Sequence, residues 1–538
     1  MQERELKLHV PASARAAVLR EMRSGKARRV SLQARYFDTP DSALARAGIA
    51  LRVRKEGRRW VQTIKAPGTD TLSRTEINHV RPTAELDLAL YTGTALESFF
   101  AALQSPLTLR YETRVTRLLL DIQAGASRIE LAFDQGSVFS GEAELPICEL
   151  EFELMEGQLT DVFAMAAQWV EKHGLVLDLR SKAERGDALA DVALAMGISG
   201  QGMAMLTTVA RPEVGALFKA RKAEPVKLRA KMPVHQAYVL CASECLEQII
   251  RNAALAGGVD TAQAGEQAHI DYVHQLRVGI RRLRSCWKLF KGMAPDPDPQ
   301  SVIILRQGFA AFGDSRDDDV VRTTVAPMMQ QAGLPPLRMP PKQRSSGDSA
   351  AEIAAGVRFQ LALLRLLHDV LLVSDGTVAD AIAVSDTQAD TSAGQAEAFA
   401  AHPAPKANAL ALKQALQKRL AVWLRSTCKK GSRFQKLPID MQHDVRKSIK
   451  NIRYCIDFSE SVLPRSGTAR LRLQLAAIQE ELGELNDFYV AQSYYQKLLE
   501  KQPQAWFAMG WLSAMQAMKR ARAQKLFRKL SSQAEIFG

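Results

Sequence analysis

Charged and apolar side chains alternate along several short segments in the first 200 residues. Glu149, Glu151 and Glu153 share one face of such a segment, while Leu150 and Phe152 share the other. A period of two indicates β-strands. Carboxylates that stand ~6–7 Å apart along one strand face repel one another and require a nearby cation. Because the apolar face must also be buried, we expect a closed barrel with a polar interior and helices packed outside it.

The same alternation recurs in six segments. Repetition favours the barrel over the alternative, a sheet whose charged face simply meets solvent. Turns are predicted at Pro67-Gly68 and Gln135-Gly136, and helices over residues 159–172, ending at Gly174, and 182–196. The strands are predicted over residues 3–9, 48–55, 60–65, 73–80, 128–134 and 147–154.

The net charge of +14 belongs to one part of the chain. Residues 1–200 carry 26 basic and 27 acidic side chains, so residues 201–538 carry a net +15. A basic surface of this size indicates a polyanionic partner. The six cysteines lack CxxC spacing, which argues against a zinc cluster or a disulfide framework. The same cysteine usage indicates a reducing cytoplasm. No apolar run approaches the ~20 residues of a membrane span, and the charged first segment predicts no secretory signal.

Helical periodicity replaces strand periodicity from about residue 234 onwards. We therefore predict a first domain over 1–200, a basic linker over 201–230 and an all-helical domain over 231–538. The segment 373–408 is rich in Ala, Ser, Thr and Asp, and we expect a long, partly disordered connection there. It would join two repeats, over about 231–372 and 409–530.

An internal repeat supports that division. His274-Gln-Leu-Arg277 aligns with His443-Asp-Val-Arg446, and basic residues then recur every three or four positions in both copies. Each copy thus predicts a helix with a basic stripe beside an apolar one. Like charges four residues apart destabilise a helix by ~0.2–0.5 kcal/mol per pair. A solvated basic face is the alternative to an external anion or internal carboxylates, for which the candidates are Asp314, Asp317, Glu484 and Asp487.

The stripes hold few aromatic side chains. Single-stranded nucleic acids are bound by stacking bases on exposed aromatics, whereas a phosphate chain needs only guanidinium and ammonium groups. The composition therefore favours polyphosphate over RNA. The predicted polyphosphate-binding residues are His274, Arg277, Arg281, Arg284, Lys288, His443, Arg446, Lys447, Lys450 and Arg453.

An ordered series of motifs runs through the first 195 residues, from Glu3-Arg-Glu5-Leu-Lys7 to Ser181-Lys182-Ala-Glu-Arg185-Gly186. Between the two end motifs lie Tyr36-Phe-Asp38-Thr-Pro, Leu51-Arg52-Val-Arg54, Gln62-Thr-Ile-Lys65, Arg74-Thr-Glu76, Thr113-x-x-x-Arg117, Arg128-Ile-Glu130, Asp134-Gln-Gly136 and Ile147-Cys-Glu149-Leu-Glu151-Phe-Glu153. The series resembles the CYTH, or triphosphate tunnel metalloenzyme, superfamily, and the helical repeat resembles the CHAD domain.

The resemblance implies an α+β protein. An N-terminal eight-stranded antiparallel β tunnel with flanking helices would precede an all-α domain of two four-helix bundles. The implied activity is that of a metal-dependent inorganic triphosphatase, a hydrolase of phosphoanhydride bonds that converts tripolyphosphate to pyrophosphate and phosphate with Mg²⁺ or Mn²⁺. The helical domain would bind inorganic polyphosphate and could accompany polyphosphate or storage granules. Neither a membrane nor nucleic acid is an expected partner.

Residue roles follow from the same resemblance. The implied catalytic residues are Lys65, Glu76 and Arg117. The implied substrate-binding residues are Lys7, Arg52, Arg54, Lys65, Arg117 and Lys182. The implied metal ligands are Glu3, Glu5, Glu130, Asp134, Glu149, Glu151 and Glu153, of which Glu130 and Asp134, like Glu76, could instead orient water.

Two questions stay open at this stage. The first is whether Arg114 or Arg117 faces the tunnel, because a bulge would exchange their positions. The second is the function itself. The alternatives are a non-catalytic polyphosphate-binding or granule-associated protein, a class IV-type adenylyl cyclase that shares the tunnel, and an RNA-binding protein.

Overall fold

Eight antiparallel strands close into a barrel in the computed structural model, which describes residues 2–68, 70–94, 96–196, 217–313, 320–340, 348–374 and 412–531. Around the barrel the strand order is β1-β5-β4-β3-β2-β6-β7-β8, and pairing of β1 with both β5 and β8 closes it. A two-residue strand, β9, pairs with β1 outside this ring. The expected eight-stranded barrel is confirmed. The strands are β1 Gln2–His9, β2 Arg28–Asp38, β3 Ala50–Glu56, β4 Arg59–Pro67, β5 Ser73–Arg81, β6 Thr108–Ala124, β7 Ser127–Ser140, β8 Ala143–Glu156 and β9 Val176–Leu177.

The apolar faces of the strands point outward and are covered. Leu131, Phe133 and Phe152 are fully buried, and helices that pack outside the barrel bring Phe163 and Trp169 into the same core. Because this core takes the apolar faces, the charged faces are turned toward the barrel interior. Burial of apolar area at ~25 cal/mol/Å² thus stabilises the arrangement that concentrates charge inside.

Two of the barrel strands and one turn differ from the sequence-based expectation. Strands β2 and β6 were not indicated by alternation. In β2 it is inverted, since Leu32, Ala34 and Tyr36 point inward while Arg35 is exposed. The turn at Gln135-Gly136 is wrong, because both residues lie inside β7 opposite β6. A Cβ on Gly136 would stand 2.0 Å from the carbonyl oxygen of Arg114, so glycine serves close strand approach there rather than chain reversal.

Short helices surround the barrel and long helices follow it. Leu159–His173 and Lys182–Ala195 agree with the predicted positions, and Gly174 ends the first with a φ of 63°. The helices are α1 Arg15–Ser24, α2 Ala43–Arg46, α3 Glu97–Ala101, α4 Leu159–His173, α5 Lys182–Ala195, α6 Val234–Ala256, α7 Glu266–Phe290, α8 Pro299–Ala311, α9 Ala326–Gln331, α10 Ala350–Ala355, α11 Val357–Ser374, α12 Leu412–Gly431, α13 Ile439–Ser459, α14 Arg465–Gln496 and α15 Ala505–Ser531.

The long helices form two groups of four. Helices α6, α7, α8 and α11 pack together in the first group, and α12 to α15 in the second. Helices α7 and α13, which carry the two copies of the repeat, pack against each other between the groups. The all-helical second region is therefore confirmed. No helix among the described residues combines the length and the apolar character needed to cross a membrane.

The second half of the predicted linker packs on the helical region. Phe218 and Leu228 are buried, and the Tyr272 hydroxyl donates to the Phe218 carbonyl at 2.7 Å. The Leu228 amide donates to Ser461 Oγ at 2.8 Å. Residues 217–230 therefore run along the helices as a fixed strap. Residues 201–216 and most of the predicted connection, 375–408, lie outside the described residues.

The barrel and the helical region share an interface. Helix α11 packs against α4 and β9, and the Leu177 amide donates to the buried Gln360 Oε1 at 2.8 Å. His368, also on α11, lies 3.1 Å from Thr160 Oγ1. One continuous core of buried apolar side chains extends across this interface. The two regions therefore stand in a fixed relation.

Candidate active site in the barrel cavity

A cavity of about 690 Å³ occupies the barrel interior, and its wall is dense with charge. Every barrel residue predicted to bind substrate or metal lies in this wall except Glu149, which is buried just behind it. The cationic side chains in the wall are Lys7, Arg52, Arg54, Lys65, Arg74, Arg117, Lys182 and Arg251. The carboxylates in the wall are Glu3, Glu5, Glu76, Glu130, Asp134, Glu151, Glu153, Asp178, Glu184 and Asp187.

Lys7 lies between two carboxylates on adjacent strands. Its Nζ is 2.8 Å from Glu151 Oε1 and 2.5 Å from Glu5 Oε1. Burial would lower the pKa of Lys7, but the charges of Glu151, Glu5 and Glu149 outweigh it and raise the pKa well above its usual range. The ammonium form is therefore favoured at neutral pH.

Lys182, at the start of α5, lies among three buried carboxylates. Its Nζ is 2.7 Å from Asp134 Oδ2, 2.7 Å from Glu151 Oε1 and in contact with Glu149 Oε1. Ser181 caps this helix by accepting from the Glu184 amide, which fixes the first turn that carries Lys182. Asp134, Glu149 and Glu151 are close enough together to hold a metal ion, but in the structure they hold this ammonium group.

Arg117 faces the cavity and Arg114 does not. The guanidinium of Arg117 binds both oxygens of Asp134, at 2.7 and 2.6 Å, and reaches Glu151 Oε2 at 2.5 Å. The Arg114 side chain is 62% exposed and lies over the ring of Phe139 on the outside. The choice between the two arginines that the sequence left open falls on Arg117.

The opposite wall carries the remaining predicted cations. Lys65 Nζ lies 2.7 Å from Glu3 Oε2 and 3.0 Å from Glu76 Oε2. Arg52 contacts the buried Tyr36 hydroxyl at 3.3 Å, and its charge, acting against burial, lowers the pKa of that phenol. Arg54 Nε donates to Glu56 Oε1 at 2.6 Å. Basic groups thus line the cavity from β1 to β6.

Three carboxylates stand abreast on neighbouring strands. Glu153 on β8 is the direct cross-strand partner of Glu130 on β7 and of Glu5 on β1. Burial first, and then the charges of Glu5, Glu130 and Glu151, raise the pKa of Glu153 to about 7. Burial and the charge of Glu5 likewise raise the pKa of Glu3 to about 8, against the attraction of Lys65. Like charges directly opposite destabilise a sheet, so this row favours a bound cation.

Several residues of the site escaped sequence reasoning. Asp187 and Glu184 on α5 and Asp178 before it carried no assigned role, although they neighbour the motif that contains Lys182. Arg251 comes from α6 in the helical region, and no local pattern in the sequence connects it with the barrel. Arg185 belongs to the same motif as Lys182, and the structure buries it completely between Glu149 and Asp260.

The predicted polyphosphate-binding residues lie on α7 and α13, which pack together. Arg277 and Arg281 lie with their guanidinium carbons 4.6 and 5.7 Å from the Phe309 ring centroid. His443 packs edge-on against Tyr489, and its pKa is lowered by burial and by the charges of Arg446 and Lys447. All ten side chains of the set are exposed or partly exposed, namely His274, Arg277, Arg281, Arg284, Lys288, His443, Arg446, Lys447, Lys450 and Arg453.

Four carboxylates were predicted as possible internal partners of the basic stripes, and the structure gives the contacts of only some of them. Glu484 pairs with Lys519 of α15 at 2.6 Å, so at least this carboxylate neutralises a different helix. Asp314 and Asp317 lie outside the described residues. Burial and the charge of Arg306 on α8 lower the pKa of Arg284 on α7.

Both regions match models of known domains. A model of the CYTH domain matches residues 1–186, and a model of the CHAD domain matches residues 243–496. An inorganic triphosphatase from Haemophilus influenzae is 33% identical over 157 residues, which are 28% of this chain and 44% of that protein. The chain thus spans less than half the length of that relative.

Solved structures also resemble each region. The CHAD domain of the plant Ricinus communis matches with a TM-score of 0.38 and 25% identity, over 58% of this chain and 96% of that one. A Hippeastrum protein studied as an adenylyl cyclase, whose structure is described as revealing a dominant triphosphatase activity, matches with a TM-score of 0.25 and 16% identity, over 36% and 96% of the two chains.

Proposed function

Because this chain joins a CYTH domain to a CHAD domain, we propose that it is a metal-dependent inorganic triphosphatase that hydrolyses tripolyphosphate to pyrophosphate and phosphate. The observation that carries the proposal is the closed barrel, whose interior gathers cations and carboxylates around one cavity of about 690 Å³. A linear triphosphate carries several negative charges, and basic side chains on opposite walls of the cavity can bind its oxygens from several sides. The curated relative bears the name of this activity.

The basic side chains would bind and orient the phosphate chain. Lys7, Lys65, Arg117 and Lys182 are each held by at least two carboxylate contacts. Fixed donors of this kind stabilise the charge that spreads over the phosphoryl oxygens as the anhydride bond breaks. Water would attack a terminal phosphorus in line with the leaving pyrophosphate, so no covalent nucleophile is needed.

The carboxylate row fits a divalent cation. Glu5, Glu130 and Glu153, with Glu3 beside them, offer hard oxygen ligands of the kind that Mg²⁺ and Mn²⁺ prefer. Burial and then the charges of Glu5 and Glu130 raise the pKa of Glu153. A cation there would add charge neutralisation at the phosphate oxygens. Asp134, Glu149 and Glu151 would instead position Lys182 and Arg117. Glu76, paired with Lys65, is the remaining candidate for orienting water.

Substitution of Lys65 tests the proposal. Lys65→Ala removes an ammonium group from the cavity, and phosphate release from tripolyphosphate with Mg²⁺ or Mn²⁺ should fall by at least about 10²-fold. Glu5→Gln should weaken metal dependence and lower turnover to a similar extent. The matched controls are Lys55→Ala, an exposed lysine on β3, and Glu156→Gln, a 73% exposed carboxylate on β8; both should retain wild-type rates.

The same assay separates the alternatives. Unchanged turnover in a folded Lys65→Ala variant would refute the cavity as the active site. Cyclic AMP formed from ATP would support the adenylyl cyclase alternative. Binding of tripolyphosphate without any hydrolysis would support a non-catalytic phosphate-binding protein.

We further propose that the helical region binds inorganic polyphosphate through α7 and α13. The supporting observation is that the basic stripes of the two repeats lie on two helices that pack against each other. Association with polyphosphate or storage granules remains a prediction. All six cysteines are buried, and none of them forms a disulfide. This supports the proposed cytoplasmic location.

A further inference from the structure

Arg251 belongs to α6 of the helical region, yet its side chain forms part of the barrel cavity wall. The neighbouring wall comes from Asp178, which precedes α5, and from Lys182 and Glu184 in the first turn of α5. Only 17% of the Arg251 side chain is exposed. The cavity is therefore completed by a residue that lies outside the barrel fold.

The contacts of Arg251 resemble those of the barrel cations. Its guanidinium pairs with Glu184 in the cavity wall, and its Nε lies 3.0 Å from Glu247 on its own helix. Burial would lower the pKa of Arg251, but Glu184 and Glu247 outweigh it and raise the pKa. Lys65, Arg117 and Lys182 are likewise paired with cavity carboxylates. Arg251 is thus paired with carboxylates in the same way as these three barrel cations.

Buried ion pairs hold α6 in place against the barrel. Asp260, which follows α6, accepts from Arg185 at 2.9 Å and lies 3.2 Å from Arg180. All three side chains are less than 10% exposed, and Asp260 adopts the left-handed conformation with a φ of 60°. Arg185 also donates to Glu149, the carboxylate that contacts Lys182. The position of Arg251 is therefore tied to the segment that carries Lys182.

We propose that Arg251 is a substrate-binding residue that the helical region contributes to the barrel site for linear phosphates. The proposal rests on the proposed function, since it concerns the same cavity. A guanidinium group can grip a phosphate through two parallel hydrogen bonds. A phosphate group reaching this part of the wall would compete with Glu184 for Arg251. Removing Arg251 and removing the charge of Glu184 should then change substrate affinity in opposite directions.

Tripolyphosphate binding to the full chain, measured by calorimetry in EDTA so that metal-dependent turnover does not consume the probe, tests this prediction. Arg251→Ala should raise the Kd about tenfold, and Arg251→Lys should raise it less, because the charge remains but the fork geometry is lost. Glu184→Gln should lower the Kd. The matched control, Glu247→Gln, removes a partner of Arg251 that lies outside the wall and should leave the Kd within about twofold.

The alternative is that Arg251 only braces the two regions. In that case Arg251→Ala and Glu184→Gln would lower the Tm alike and shift the Kd in the same direction, or leave it unchanged, and either result would overturn the proposal. A wild-type chain that binds tripolyphosphate without hydrolysing it would refute the triphosphatase activity but not the role of Arg251. A wild-type chain that does not bind tripolyphosphate would refute both.

Discussion

Lys182 shows how much a single side chain decides in this site. The alternation places Asp134, Glu149 and Glu151 on the charged faces of neighbouring strands, and the family resemblance implies that all three bind metal. In the structure they surround one ammonium group instead. Which carboxylate pairs with which cation depends on side-chain length and direction and on differences of about an ångström in atomic position. The alternation of polar and apolar residues in a sequence carries no information at that scale. The inward faces were therefore predictable, and the pairing was not.

Asp187 provides a test at the residue scale. Burial first, and then the charges of Asp38, Asp191 and Glu184, raise the pKa of Asp187 to about 7, against the attraction of Arg110. The folded state thus retains a proton that the unfolded chain loses near pH 4, and stability falls as pH rises from about 4 to 7. Asp187→Asn should raise the Tm at pH 8 and change it little near pH 4. The limiting slope is about 1.4 kcal/mol per pH unit.

The control for Asp187→Asn is Glu171→Gln, which neutralises an exposed carboxylate on α4. Its Tm shift should be small and should not depend on pH over the same interval. An equal Tm gain for Asp187→Asn at pH 4 and pH 8 would contradict the raised pKa of Asp187. Such a gain would come from packing, which does not depend on the protonation of residue 187.

At the scale of elements, the polarity of a strand's inner face decided whether the sequence predicted that strand. Alternation identified β1, β3, β4, β5, β7 and β8 because a charged inner face meets an apolar outer one. It missed β2, whose inner face is the less polar, with Leu32, Ala34 and Tyr36 lining the cavity. Gly136 was read as a turn residue, since glycine in a sequence signals either chain reversal or close backbone approach. Only the partner strand decides between the two, and that partner is remote in sequence.

Gly136→Ala tests the close approach of β6 and β7. The added Cβ would stand 2.0 Å from a backbone oxygen of β6, so the strands must separate, and we expect a loss of about 1–3 kcal/mol and a lower Tm. Turnover should fall as well, because Arg117 and Asp134 face each other across the same pair of strands. Gly483→Ala is the contrasting control. Gly483 lies within α14 with open space around its Cβ position, and alanine there should stabilise by about 0.5–1 kcal/mol. A neutral Gly136→Ala variant would contradict the packing argument.

At the scale of the whole molecule, charge is divided by role. The barrel balances its charges inside a cavity, while residues 201–538, which comprise the basic linker and the helical region, carry the net excess of +15. The repeat and the periodicity predicted which helices bear the basic stripes. They could not predict that α7 and α13 would pack against each other, nor that Arg251 and Asp260 would meet the barrel, since these contacts join segments far apart along the chain.

Charge reversal on the stripes tests the polyphosphate proposal. In the full chain, Lys288→Glu combined with Arg453→Glu places two acids on the facing helices and should reduce retention of long-chain polyphosphate about tenfold at low salt. The matched control, Lys429→Glu with Lys430→Glu, makes the same change in net charge on two exposed lysines at the end of α12. Equal losses in both variants would mean that polyphosphate responds to net charge alone. Retention should weaken as salt rises, because exposed charges are screened.

The closing strand of the barrel has a consequence for how the protein is made. Strand β1 pairs with β5 and with β8, so the ribosome must deliver residues up to Glu156 before the ring can shut. Until then Leu6 and Leu8, which end fully buried, have no permanent cover, and Lys7 lacks its contact with Glu151 on β8. Contacts this remote in sequence form slowly. Nascent chains halted before β8 should therefore be sensitive to proteases along the whole barrel, and protection should arise in one late step.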